Sequence, residues 1–193
     1  MGNNASQWLD DILKANESFQ KKIDPERMPP EHEQCPYAVI TCMDPRINLE
    51  AVGISPFTES GEIRSHIKTI RTLAGAAENR ALLVGIHVTG FKEIAVIYHT
   101  DCGAATAYKN AGALVENLEK SLSPERFAAL KSEIGEPFRD NLIKWLKAFD
   151  DPVEAVKQEV ASIKSLSFVP DYVKVHGLVY DISTGKVEVV VEG

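Results

Sequence analysis

The sequence predicts an α/β fold, a mostly parallel β-sheet of about four strands plus an antiparallel edge strand, flanked by helices. Three observations predict it. Short apolar runs rich in β-branched residues alternate with longer segments of helical period, as strand–helix–strand crossovers require. Two further runs near residue 180 bracket Ser183-Thr184-Gly185, the mark of a hairpin whose last strand adds to a sheet edge. Reactive polar residues also follow the apolar runs directly, and open α/β sheets gather their ligands beyond the carboxyl ends of the strands.

Residues 5–22 read as an amphipathic helix, with Trp8, Ile12, Ala15 and Phe19 at helical spacing, and Pro25, Pro29 and Pro30 break the chain after it. The first strand covers 37–42. A turn through Pro45 leads to a short segment, 47–52, and then to a loop rich in Ser, Gly and Glu. Residues 66–71 form the second strand, and 76–88 a helix that Gly90 stops. The third strand, 93–98, delivers His99. A long helix runs from Gly103 to about Lys120, and Ser123-Pro124-Glu125 opens another with Ser123 as N-cap. That helical region continues, with a break near Asp151-Pro152, to about Ile163, and the hairpin strands 173–180 and 186–191 close the chain.

A length of 193 residues suits one domain over 1–193, with 1–35 as an N-terminal helical arm. A formal net charge of −7 and the lack of a basic stripe argue against nucleic acid as partner. The longest apolar run, 81–86, falls far short of the roughly 18 residues that span a bilayer. No apolar core of a secretory signal is visible, so the expected compartment is the cytoplasm, although Met1-Gly2-Asn3-Asn4-Ala5-Ser6 fits the loose pattern for N-myristoylation at Gly2. Three cysteines, an odd number, do not suggest a disulfide framework, and Cys35 reads as a bystander thiol.

The chemistry sits in two motifs, Cys42-Met43-Asp44-Pro45-Arg46 and His99-Thr100-Asp101-Cys102-Gly103. Cys42 and Cys102 as thiolates with neutral His99 make a three-ligand Zn²⁺ site, one per chain, with an open fourth position. Two thiolates cancel the metal's charge, so bound water is acidified less than at a three-histidine site and its orientation matters more. Asp44, two residues from a ligand, can accept the hydrogen of a zinc-bound hydroxide and aim its lone pair at an electrophile. Arg46 can hold Asp44 ionised and off the metal through a bidentate pair. Asp101 reads as a charge complementing the N-terminus of the helix that begins near Gly103. His32, His66, His87 and His176 show no partner pattern, and Arg71 stands with Cys42 and His99 at the carboxyl edge of the sheet.

Each part has a plainer reading. A lone buried cysteine is ordinarily a small core residue, a lone histidine after a strand is ordinarily hydrogen-bonded, and Asp-Pro-Arg is an ordinary turn. Their convergence on one sheet edge favours the site.

At these residues the sequence resembles the β-class carbonic anhydrases. Cys42-x-Asp44-x-Arg46 and His99-x-x-Cys102-Gly103 match that family's two signatures in order and separation, and residues 177–185 resemble its final hairpin. The resemblance implies a zinc lyase for the reversible hydration of CO2 to bicarbonate by zinc-bound hydroxide. It also implies a homodimer or higher homo-oligomer in which an N-terminal helix packs on the neighbouring subunit. Hydrolysis of carbonyl sulfide or carbon disulfide on the same scaffold is the alternative, and a non-catalytic zinc-binding module is a third reading. The chain departs from the family at Arg71-Thr72-Leu73-Ala74-Gly75, where Arg-Asn-Ala-Gly is common, and carries Ala104 and Ala105 after the Cys-Gly pair. These departures touch pocket shape rather than the metal.

Overall fold

The apolar runs become strands where their patterning places them. In the computed structural model, which describes residues 4–21, 35–54 and 67–193, Tyr37–Cys42 is β1, Ile67–Thr72 β2, Glu93–His99 β3, Lys174–Tyr180 β4 and Val187–Val191 β5. The five strands form one sheet in the order β2-β1-β3-β4-β5. All pairings are parallel except β4 with β5, which is antiparallel, as expected of the hairpin. Gly2, the three prolines, His32, His66 and most of the Ser/Gly/Glu-rich loop lie outside the described residues.

Central strands are buried on both faces, which is why β1 reads as an unbroken apolar run while β2, at the edge, is largely exposed. Register carries the consequence for chemistry. Thr41 pairs with Arg71 on one side and Ile97 on the other, and His99 pairs with Tyr180, so the carboxyl ends of β1, β2 and β3 stand level. A buried hydrogen bond from Thr41 Oγ1 to the Ile97 carbonyl (2.9 Å) holds the β1 and β3 ends together.

Helices occupy the rest: α1 (Asn4–Gln20), α2 (Asn79–Val84), α3 (Gly103–Lys109), α4 (Ala111–Ser121), α5 (Pro124–Ile134), α6 (Phe138–Trp145) and α7 (Pro152–Lys164). The expected caps are present. Ser123 Oγ accepts from the Arg126 amide with Pro124 in the first turn, and Asp151 Oδ1 accepts from the Val153 amide ahead of Pro152. The segment after the Pro45 turn is a short 3-10 turn, Leu49–Val52, capped by Asn48.

Several boundaries differ from the sequence expectation. The helix expected over 76–88 starts only at Asn79, because the Glu78 carboxylate caps it by accepting from the Ala81 amide, and it widens into a π turn, Gly85–Thr89, before Gly90 ends it. The single helix expected from Gly103 is two, broken where Asn110 leaves helical geometry at φ −115°, ψ 35°. The region 124–163 breaks twice rather than once, since Gly135-Glu136-Pro137 separates α5 from α6. A glycine at φ +80° with a proline two residues on cannot continue a helix.

Two apolar clusters result. The larger joins the sheet to α7, whose Val156, Val160 and Ile163 are buried, each burial contributing roughly 1.5–3 kcal/mol. Gly177 on β4 admits this approach, because a Cβ there would stand 3.0 Å from Val160 Cγ2. The smaller gathers α4, α5 and α6 around Phe127, Phe138 and Leu142, with the two phenyl rings edge to face at 5.7 Å. Between them, buried Glu159 accepts from Lys147 Nζ at 2.9 Å and from the Ala77 amide at 2.7 Å, so the loop after β2 is tied to α7. A carboxylate taken out of water needs both partners.

The α1 apolar face is not laid on its own sheet. Trp8, Ile12 and Phe19 are exposed, Trp8 at 70%. No helix among the described residues is long and apolar enough to cross a membrane.

The loop Leu73–Glu78 turns on Ala74 (φ 64°) and Gly75 (φ 91°), and a Cβ at Gly75 would meet the Ile97 carbonyl oxygen at 3.2 Å and Thr41 at 3.3 Å. Gly75→Ala is therefore expected to lower stability by about 1–3 kcal/mol, read as a shift in the urea unfolding midpoint with unchanged slope.

Candidate metal centre

Level strand ends bring three soft or borderline donors together. Cys42 ends β1, His99 ends β3, and Cys102 is the N-cap residue of α3, reached through a tight turn in which Asp101 adopts φ +54°. Thr100 anchors that turn to the end of β4. Its amide donates to the Tyr180 carbonyl at 3.0 Å, and its hydroxyl accepts from the Ile182 amide at 3.1 Å.

Cys42, His99 and Cys102 are all buried, and their donor atoms lie within 4.8 Å of one another. The two sulfurs are 3.9 Å apart, far beyond a disulfide bond of about 2.05 Å. His99 Nδ1 lies 2.8 Å from the Thr100 carbonyl oxygen. A carbonyl can only accept, so that nitrogen carries the hydrogen and Nε2 presents its lone pair. Nε2 is buried and has no hydrogen-bond partner among the described residues. Such an orphan lone pair facing two thiols is a costly arrangement for packing alone and a fitting one for a cation. Two sulfurs and one imidazole suit Zn²⁺ with one position open.

The sulfurs are electrostatically unequal. Sharing a hydrogen with Cys102, and facing His99 and the Asp44 amide, holds the Cys42 thiol well below its usual range despite burial. Cys102 is pushed up by the same pairing and by burial, against the amides of Ala104 and Ala105 in the first turn of α3. One sulfur thus ionises readily while the other keeps the hydrogen, until a cation displaces it.

Asp44 and Arg46 are paired as their spacing predicts. Arg46 Nε lies 3.0 Å from Asp44 Oδ1 and Nη2 lies 2.7 Å from Oδ2, a two-pronged fork, while the Arg46 amide donates to Oδ1 at 2.9 Å. The guanidinium first, and the amide after it, hold the Asp44 carboxyl down to about 2.

Two residues stand differently from their sequence reading. Asp101 is not spent on the helix N-terminus. Its Oδ2 accepts from Arg46 Nη1 at 2.6 Å and its carbonyl from Nη2 at 2.8 Å. Arg71 reaches the expected edge, but its guanidinium donates to the carbonyls of Cys42 (3.3 Å), Asp44 (3.2 Å) and Ile47 (3.0 Å), so it shapes the loop after β1. Sequence reading placed Arg71 without a task, because those acceptors are backbone atoms 24 to 29 positions away.

The remaining candidates stay apart from the centre. His87 Nε2 meets the Phe168 carbonyl, His176 Nδ1 accepts from the Gly193 amide, and buried Cys35 donates to the Tyr37 carbonyl.

Comparison with known proteins agrees with this geometry. The family model described as carbonic anhydrase matches residues 37–187. The chain is 27% identical over 186 residues to β-carbonic anhydrase 1 of Mycobacterium tuberculosis, covering 92% of this chain and 94% of the relative. It is 29% identical over 163 residues to the carbon disulfide hydrolase of an Acidianus strain, covering 76% and 72%. Among solved structures, β-carbonic anhydrase isoform I of Trichomonas vaginalis superposes with a TM-score of 0.75 at 26% identity, covering 96% and 98%.

If Arg71 shapes the loop after β1, Arg71→Met is expected to speed hydrogen exchange of the Ile47 amide, which donates to the Asp44 carbonyl, by about tenfold or more. Native-state exchange followed by NMR checks this. An unchanged rate would mean that the loop holds its own shape.

Proposed function

The chain belongs to the β-carbonic anhydrase family, and on that footing we propose that it catalyses the zinc-dependent, reversible hydration of CO2 to bicarbonate. The observation that carries this reading is the buried His99 Nε2, without a hydrogen-bond partner among the described residues, beside two thiol sulfurs. In this reading Cys42, His99 and Cys102 hold one Zn²⁺ per chain. Zinc bound there supplies a Lewis acid that makes water a nucleophile near neutral pH.

The residues around it do the rest. Asp44 stays ionised throughout the working pH range, so it can accept a hydrogen bond and never donate one. It would accept a hydrogen bond from the attacking oxygen and so leave that oxygen's lone pair facing the CO2 carbon. The guanidinium of Arg46 occupies both Asp44 oxygens, which keeps the carboxylate from becoming a further donor to the metal. Water and CO2 give bicarbonate and one proton, which passes to buffer. Residues 1–193 serve as one domain with 1–35 as its arm. The exposed apolar face of α1 supports a homodimer or higher homo-oligomer in which that helix rests on a second copy.

A second reading keeps the same site and changes the electrophile. Carbon disulfide and carbonyl sulfide are linear analogues of CO2, and the likeness to the Acidianus carbon disulfide hydrolase supports them as alternative substrates.

Stopped-flow CO2 hydration at alkaline pH, on protein of known zinc content, tests the proposal. Rapid turnover is expected, falling roughly 100-fold in Asp44→Asn with zinc retained. Cys102→Ala is expected to lose the metal itself, measured as zinc per chain after dialysis. Fully zinc-loaded protein that ignores CO2 but turns over carbon disulfide would replace the first reading with the second.

A further inference from the structure

Arg46 is held on more sides than a dyad needs. A guanidinium carries five N–H donors in one plane. The edge formed by Nε and Nη2 is taken by Asp44. The opposite edge is taken by Asp101, with the carboxylate 2.6 Å from Nη1 and the backbone carbonyl 2.8 Å from Nη2. Asp101 lies 55 positions away, on the turn between His99 and Cys102.

An exposed pair between neighbours in sequence is weakly held, too weakly to keep a carboxylate in one orientation. Arg46 is such a residue, with its side chain 46% exposed, while Asp44 is only 14% exposed. A plane gripped along both edges is different, because turning it away from Asp44 also breaks two bonds to Asp101. The backbone of Asp101 makes the double grip available. At φ +54° its carbonyl and its carboxylate reach the same guanidinium, in a conformation that Asp, Asn and Gly adopt more readily than other residues.

We propose that Asp101 is a positioning residue, which clamps the outer edge of Arg46 and thereby fixes the orientation of Asp44 across the gap between the β1 and β3 ends. The effect on turnover rests on the hydration reading above; the clamp itself does not. The clamp also couples the turn bearing Cys42 to the turn bearing His99 and Cys102, so the orienting carboxylate moves with the whole donor cluster. Asp101 is 75% exposed, and its carboxylate is paired with Arg46.

Two variants respect the backbone. Asp101→Gly keeps the positive φ and the carbonyl grip but removes the carboxylate, whereas Asp101→Asn keeps φ and one oxygen acceptor without the charge. Nitrogen-15 NMR of the Arg46 side chain in the zinc-loaded protein reads the clamp directly. The wild type is expected to show distinct Nη resonances from slow rotation about the Nε–Cζ bond. Asp101→Gly is expected to average them, with kcat for CO2 hydration about tenfold lower and with KM and zinc content unchanged. Asp101→Asn is expected to fall between the two, as partial rescue. Undisturbed Nη resonances in Asp101→Gly, or in Asp101→Asn should the glycine variant fail to fold, would overturn the clamp. So would wild-type kcat in a variant whose Arg46 has become mobile. A wild type inactive on CO2, in which Arg46 still loses order without the Asp101 carboxylate, would uphold the clamp and sink the hydration reading.

Discussion

Parallel pairing of β1 with β3, in a register that sets Thr41 beside Ile97, is the constraint from which the candidate site follows. Cys42 and His99 are separated by more than fifty positions and meet because each is the last residue of its strand. A one-residue slip of β1 against β3 would turn every β1 side chain to the opposite face and shift the Cys42 end of β1 along the sheet from the His99 end of β3, since side chains alternate. Burial on both faces makes such a slip costly, and the Thr41 hydroxyl bond to the Ile97 carbonyl pins the register where it matters most. Cys102 joins the pair because the turn after His99 is short and is tied through Thr100 to β4.

Around that cluster the polar groups fall into two kinds. His99, Cys42 and Cys102 are buried, and His99 Nε2 is left without a hydrogen-bond partner among the described residues, an arrangement that pays only if something else occupies it. Asp44, Arg46, Asp101 and Arg71 lie toward the surface and are bonded to one another and to loop carbonyls. The first set is poised to receive a cation. The second set fixes the shape of the two turns that present it.

The helices reveal where local sequence information suffices. Ser123 and Asp151 cap their helices as expected, because a cap is a bond between residues two or three apart and proline beside it restricts the backbone further. The break at Asn110 carries no comparable signal, and hydrophobic period alone ran through it. The break at Gly135-Glu136-Pro137 did carry one, in the glycine and proline themselves, and the apolar positions on either side masked it because α5 and α6 both face the same small cluster. Glu78 shows a third case, where a carboxylate cap moved a helix start by three residues.

The sequence by itself determined the α/β class, the strands, the sheet's antiparallel edge, the three donors and the Asp44–Arg46 pair. These rest on periodicity, on turn chemistry, on spacings of a few residues and, for the donors, on their places at the ends of two apolar runs, all of which a linear chain displays directly. Only the tertiary structure decided that Asp101 grips Arg46 rather than serving a helix end, that Arg71 serves backbone carbonyls, and that the α1 apolar face stays off its own sheet. Those outcomes depend on which partner arrives from a distant part of the chain. A charged side chain binds whatever counter-charge or carbonyl the fold brings within 3 Å or so, and nothing in its neighbours along the sequence names that partner.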